Sequence, residues 1–63
     1  MDYKNAIKKL RRKLALTQTE LGTILGVSYK SVNRWENGRY EPTTSIKKKL
    51  MVLFKENDIE VEM

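Results

Sequence analysis

The stretch Thr17-Gln18-Thr19-Glu20-Leu21-Gly22-Thr23-Ile24-Leu25-Gly26-Val27-Ser28 decides the fold. Its first four residues match a capping box, in which the Thr17 hydroxyl takes the amide three residues on and Glu20 reaches back. They open a short helix with Leu21, Ile24 and Leu25 on one face. Gly26 stops that helix, because it can take the left-handed conformation just past the last turn. Only Val27 separates Gly26 from Ser28, a favourable N-cap for the next helix. In that next helix Val32 and Trp35 share a face, and Asn37-Gly38 closes it. Two short helices joined by so tight a turn form a helix-turn-helix. Gly22 supplies the small residue where the two cross, and Leu21, Leu25, Val27, Val32 and Trp35 pin the pair together.

Outward from this stretch the apolar spacing stays helical. Tyr3, Ile7, Leu10 and Leu14, with Ala6 alongside, form one face of a preceding helix. Its other face carries Lys4, Lys8 and Arg12. After the helix-turn-helix, residues 39–42 read as a loop, and Pro42 favours a helix just beyond it. Thr43, Thr44 and Ser45 offer hydroxyl caps for a fourth helix, whose buried stripe is Ile46, Leu50, Leu53 and Phe54. Asn57-Asp58 ends it. Residues 59–62 alternate apolar and acidic, and a frayed tail is the expectation, with a short extended segment as the alternative. The expected fold is all-α: a compact bundle of four short helices with a central helix-turn-helix and a short C-terminal tail. The domain is expected over 1–56, with an acidic tail over 57–63. Helices this short are marginal alone in water, so they must pack together.

The chain has 63 residues, one domain at most, with no cysteine and no histidine. That excludes a disulfide scaffold and a thiolate metal site, and it removes the commonest general base. The acidic residues show no ligand spacing, so no enzyme, cofactor or metal is expected. The longest apolar run, from Leu50 to Phe54, is far too short to span a bilayer. The N-terminus lacks the apolar stretch of a signal peptide. A cytoplasmic protein is expected, of prokaryotic or phage type. The net charge of +5 is uneven. Glu56, Asp58, Glu60 and Glu62 leave the C-terminus at −4, while residues 1–55 hold thirteen bases against four acids, a net of +9. A basic body suits a polyanionic partner; a solvated lysine-rich surface is the plain alternative.

The pattern Thr17-Gln18-x-Glu20-Leu21-Gly22-x-x-Leu25-Gly26-Val27-Ser28, then Val32-x-x-Trp35-Glu36-Asn37-Gly38-x-x-x-Pro42, resembles the Cro/repressor-type (lambda-repressor-like, XRE) helix-turn-helix family. The resemblance runs from about residue 7 to residue 54. Two departures stand out. Ala15 stands where the family usually has Gly at the end of the first helix. The family also commonly has a fifth helix that helps build a dimer, whereas here only the acidic tail follows Phe54.

The resemblance implies that the second helix of the motif, 28–37, enters the major groove of double-stranded DNA. Val32 and Trp35 face the core, which leaves Tyr29, Lys30, Asn33 and Arg34 outward. Their chemistry suits base edges, with Arg or Lys to guanine and Asn to adenine. The family's base-contacting positions fall on these four, with Ser28 at their edge. Phosphate contacts are expected from Gln18 and Ser31, from Asn37, Arg39 and Tyr40 after the recognition helix, and from Thr43 and Thr44 at the start of the fourth. Lys47, Lys48 and Lys49 read as a solvated face, and Glu41 beside them as an unexplained acid. The family carries an ion pair at the positions of Arg11 and Glu36, which would tie the first helix to the end of the third. The expected function is a sequence-specific transcriptional regulator acting as a repressor. The alternative is an antitoxin-like or adaptor module whose main role is binding a toxin or other protein partner. A monomer is expected in dilute solution, pairing only on DNA if it pairs at all.

Overall fold

The computed structural model describes residues 2–61; Met1, Glu62 and Met63 lie outside the described residues, and with them the last acid of the alternating segment. Among the described residues four helices follow one another: α1 (Tyr3–Lys13), α2 (Gln18–Leu25), α3 (Tyr29–Glu36) and α4 (Thr44–Glu56). No strand occurs among the described residues. Helix α3 packs on α1 and α2, and α4 closes against α1 and α2. Tyr3, Ala6, Ile7 and Leu10 of α1 meet Leu21 and Leu25 of α2, Val32 and Trp35 of α3, and Ile46, Leu50 and Phe54 of α4 in one core.

Local chemistry explains the helix starts only in part. Thr17 Oγ1 accepts from the Glu20 amide at 3.1 Å, and Glu20 Oε1 accepts from the Thr17 amide at 2.9 Å, so the capping box is complete. Asp2 caps α1, its two oxygens taking the backbone amide and the side-chain amide of Asn5. Those bonds hold the Asp2 carboxyl below the usual carboxylate range, the backbone one contributing most. Ser28 and Thr43 stand at the N-cap positions of α3 and α4, but neither side chain makes the capping bond. Thr43 Oγ1 instead lies 3.5 Å from Ser45 Oγ.

All four helices end alike. At each end one residue turns left-handed and the amide just after it bonds five residues back, a Schellman closure. The bonds run from Leu16 to Arg11, Val27 to Gly22, Arg39 to Arg34 and Ile59 to Phe54, at 2.8–3.1 Å. The left-handed residues are Ala15, Gly26, Gly38 and Asp58. At Ala15 the Cβ meets the steric cost that glycine escapes, so the first departure from the family pattern leaves the turn in place and adds strain. Gly22 is required by proximity. A Cβ there would sit 2.6 Å from the Val27 carbonyl oxygen, in the turn that leads into α3.

Two expectations differ from the structure. Ile24 was expected on the buried face of α2, yet it is 51% exposed; the core closes over Leu21 and Leu25, and Ile24 lies past its rim. Residues 57–61 are not a frayed tail. The closure at Asp58 turns the chain back, Ile59 and Val61 pack against the core, and Lys13 Nζ donates to the Asn57 carbonyl. Two apolar side chains with a place on the core outweigh the local polarity of the segment.

Candidate nucleic-acid interface

Helix α3 is eight residues long and sharply two-sided. Val32, Trp35 and Glu36 are buried. Tyr29, Lys30, Asn33 and Arg34 are exposed on the other side and line one open depression of about 270 Å³. Ser28 is exposed just before them, and its hydroxyl is free of any capping bond; Ser31 is half-buried. The structure thus places these four side chains together on one exposed face of the helix.

The flanking groups are tied to that surface. The Arg34 guanidinium lies over the Tyr40 ring, 5.7 Å from its centroid, a cation–π contact that joins the helix to the loop after it. The Asn33 amide donates to Gln18 Oε1 at 3.3 Å, and the Asn37 amide donates to Asn33 Oδ1 at 2.6 Å. Gln18 is the first residue of α2, where free amides and the helix dipole favour an anion. Arg39 is exposed just past the left-handed Gly38. Thr43 and Thr44 are exposed at the start of α4.

Behind this face stands an ion pair. Arg11 Nε donates to Glu36 Oε2 at 2.7 Å, and Arg11 Nη2 donates to Glu36 Oε1 at 2.9 Å, a two-pronged contact between α1 and the end of α3. Arg11 Nη1 also donates to the Leu16 carbonyl. Gln18 Nε2 adds a third bond to Glu36, at 3.3 Å. Burial alone would push the Glu36 carboxyl up. The hydrogen bonds from Arg11 and Gln18, with the charges of Arg11 and Lys8, outweigh it and hold the group below its ordinary value. The Gln18 link to Glu36 was not foreseen. Its sequence signal was slight: a carboxamide directly after the capping Thr17, in a motif that ends on a buried acid.

The lysines of α4 are not uniformly solvated. Lys47 Nζ lies 3.3 Å from Glu41 Oε2 and 5.1 Å from the centroid of the Tyr3 ring, which gives Glu41 a partner. Lys49 Nζ donates to the Leu25 carbonyl at 3.3 Å, at the end of α2. Lys48 is exposed.

The family model of the helix-turn-helix of Cro/C1 type matches residues 7–57. The chain belongs to the XRE, or Cro/C1-type, helix-turn-helix family. No curated protein and no solved structure matches it significantly. The matched span holds α2 and α3 whole, together with the ion pair and the depression on α3. As a member of this family the chain is a DNA-binding regulatory domain. Among the described residues no helix is long and apolar enough to cross a membrane, and no group of acidic residues could hold a metal ion.

Proposed function

We propose that this helix-turn-helix domain is a sequence-specific transcriptional repressor that occupies a double-stranded operator in the cytoplasm. One observation carries the reading: the outer face of α3 gathers Tyr29, Lys30, Asn33 and Arg34 around one open depression. Residues at these spacings share a face on any helix; what favours the major groove is their donor and acceptor chemistry on the second helix of a helix-turn-helix. Lys30 and Arg34 suit guanine, Tyr29 offers its hydroxyl and ring, and Ser28 stands at the edge. Gln18, Ser31, Asn37, Arg39, Tyr40, Thr43 and Thr44 would take phosphates and fix the register without reading sequence.

The competing antitoxin-like or adaptor reading has one observation on its side. Ile24, Leu25, Val52 and Leu53, with Lys49, line an apolar depression of about 280 Å³ at the ends of α2 and α4. That patch has five lining residues, few against the roughly 20–30 residues a side of a stable interface. It fits a chain that is monomeric in dilute solution and pairs on neighbouring half-sites, where DNA supplies the local concentration. Selection of bound duplexes from a random pool tests the reading. Enrichment of one motif is the expected result, and a palindrome would show pairing. A pool that stays random after repeated rounds would defeat the proposal.

A further inference from the structure

Glu36 sits at the head of a chain of side chains that leads from the core to the DNA-binding face. Its carboxylate accepts from Gln18 Nε2, Gln18 Oε1 accepts from Asn33 Nδ2, and Asn33 Oδ1 accepts from Asn37 Nδ2. An ionised carboxylate can only accept. Gln18 must therefore turn its NH₂ group toward Glu36, which leaves its oxygen facing Asn33. Asn33 must then donate, and its own oxygen is left for Asn37. A carboxamide could otherwise face either way, but the fixed charge at one end sets the direction of all three.

This direction matters at a phosphate, which also only accepts. Gln18 Nε2 keeps a second hydrogen after serving Glu36, and Asn37 Nδ2 keeps one after serving Asn33. Asn33 lies between them. Its Oδ1 and Nδ2, the atoms that would pair with adenine, each hold one of these neighbours, so a base could take only the lone pair and hydrogen left over, without turning the amide away from them. We propose that Asn33 is a positioning residue: anchored on Glu36 through Gln18, it holds Gln18 and Asn37 as phosphate donors on either side of α3 and leaves base reading to Tyr29, Lys30 and Arg34. The proposal rests on the DNA-binding reading above.

The test compares wild type, Asn33→Ala, Gln18→Ala and the double variant on the selected duplex and on a random one, over a range of salt. Asn33 is exposed, so the fold is not at stake. Asn33→Ala should weaken both duplexes by the same factor, about 2- to 10-fold, the value of one neutral hydrogen bond. The preference at every base pair and the slope of the salt dependence should both be unchanged, because Gln18 and Asn37 carry no charge. The double variant should bind within about 2-fold of Gln18→Ala, because the two side chains act as one unit. In the free protein, Asn33→Ala should shift the side-chain amide resonances of Gln18. A loss of preference at one base pair, losses that multiply in the double variant, or an unmoved Gln18 amide would each overturn the proposal while the DNA-binding reading stands. A wild-type chain that binds no duplex at all would overturn both.

Discussion

The two faces of α3 answer to different physics within one eight-residue helix. The inner face, Val32, Trp35 and Glu36, is buried, and its one charge has found partners. The outer face, Tyr29, Lys30, Asn33 and Arg34, is exposed and adds little burial to the core. A change on the inner face should therefore cost stability. A change on the outer face should cost recognition and leave stability within about 0.5 kcal/mol, as surface substitutions usually do. Residues half a turn apart are separated in this way, and the amide chain through Gln18 is where the two sides touch.

The strongest challenge to that division is Glu36→Ala. Glu36 is buried and Arg11 half-buried, so the substitution leaves a partly shielded guanidinium without its carboxylate, and the expected loss in denaturant titration is about 3 kcal/mol, the low end for a buried pair. An unchanged midpoint would mean that the inner face is not held as described. The same group predicts a pH dependence. The Glu36 carboxyl is lower in the folded state than its ordinary 4.5, so its contribution is full above that value and lost as pH falls through the folded one. Wild type should lose stability on acidification below about pH 4.5, and Glu36→Ala should lack that component.

A gain of stability with no change in recognition would sharpen the comparison. Ala15 sits left-handed at φ 55°, at the end of α1 and far along the chain from the α3 face. Ala15→Gly should raise stability by about 1 kcal/mol by relieving that strain, with duplex binding unaltered. The smallest effect is expected at the second ion pair. Lys47 and Glu41 are both partly solvated, with side chains 33% and 64% exposed. Glu41→Ala should shift stability by about 0–1 kcal/mol, against the several expected at Glu36.

Much of this arrangement was legible in the sequence. The capping box at Thr17, the closures at Gly26 and Gly38, the close approach at Gly22 and the apolar stripes were local or periodic, so residue order alone disclosed them. The outward set on α3 followed from the inward placement of Val32 and Trp35. What was missed depended on long-range contact. Residues 57–61 read as tail because the core they pack against is assembled from all four helices and exists only in the folded chain. Ile24 read as core because helical spacing does not show where a small core runs out. The chain of carboxamides was invisible because Gln18 and Glu36 meet only once α2 and α3 have crossed.

The most direct test of the account is Arg34→Ala on selected and random duplexes, measured beside its melting temperature. Arg34 lies on the outer face over Tyr40 and is the strongest candidate for a guanine contact. The variant should lose about 1–3 kcal/mol on the selected duplex, relax its preference at one base pair, and change little on random duplexes or in melting. Equal weakening on selected and random duplexes would contradict it, because the outer face of α3 would then be acting as charge alone.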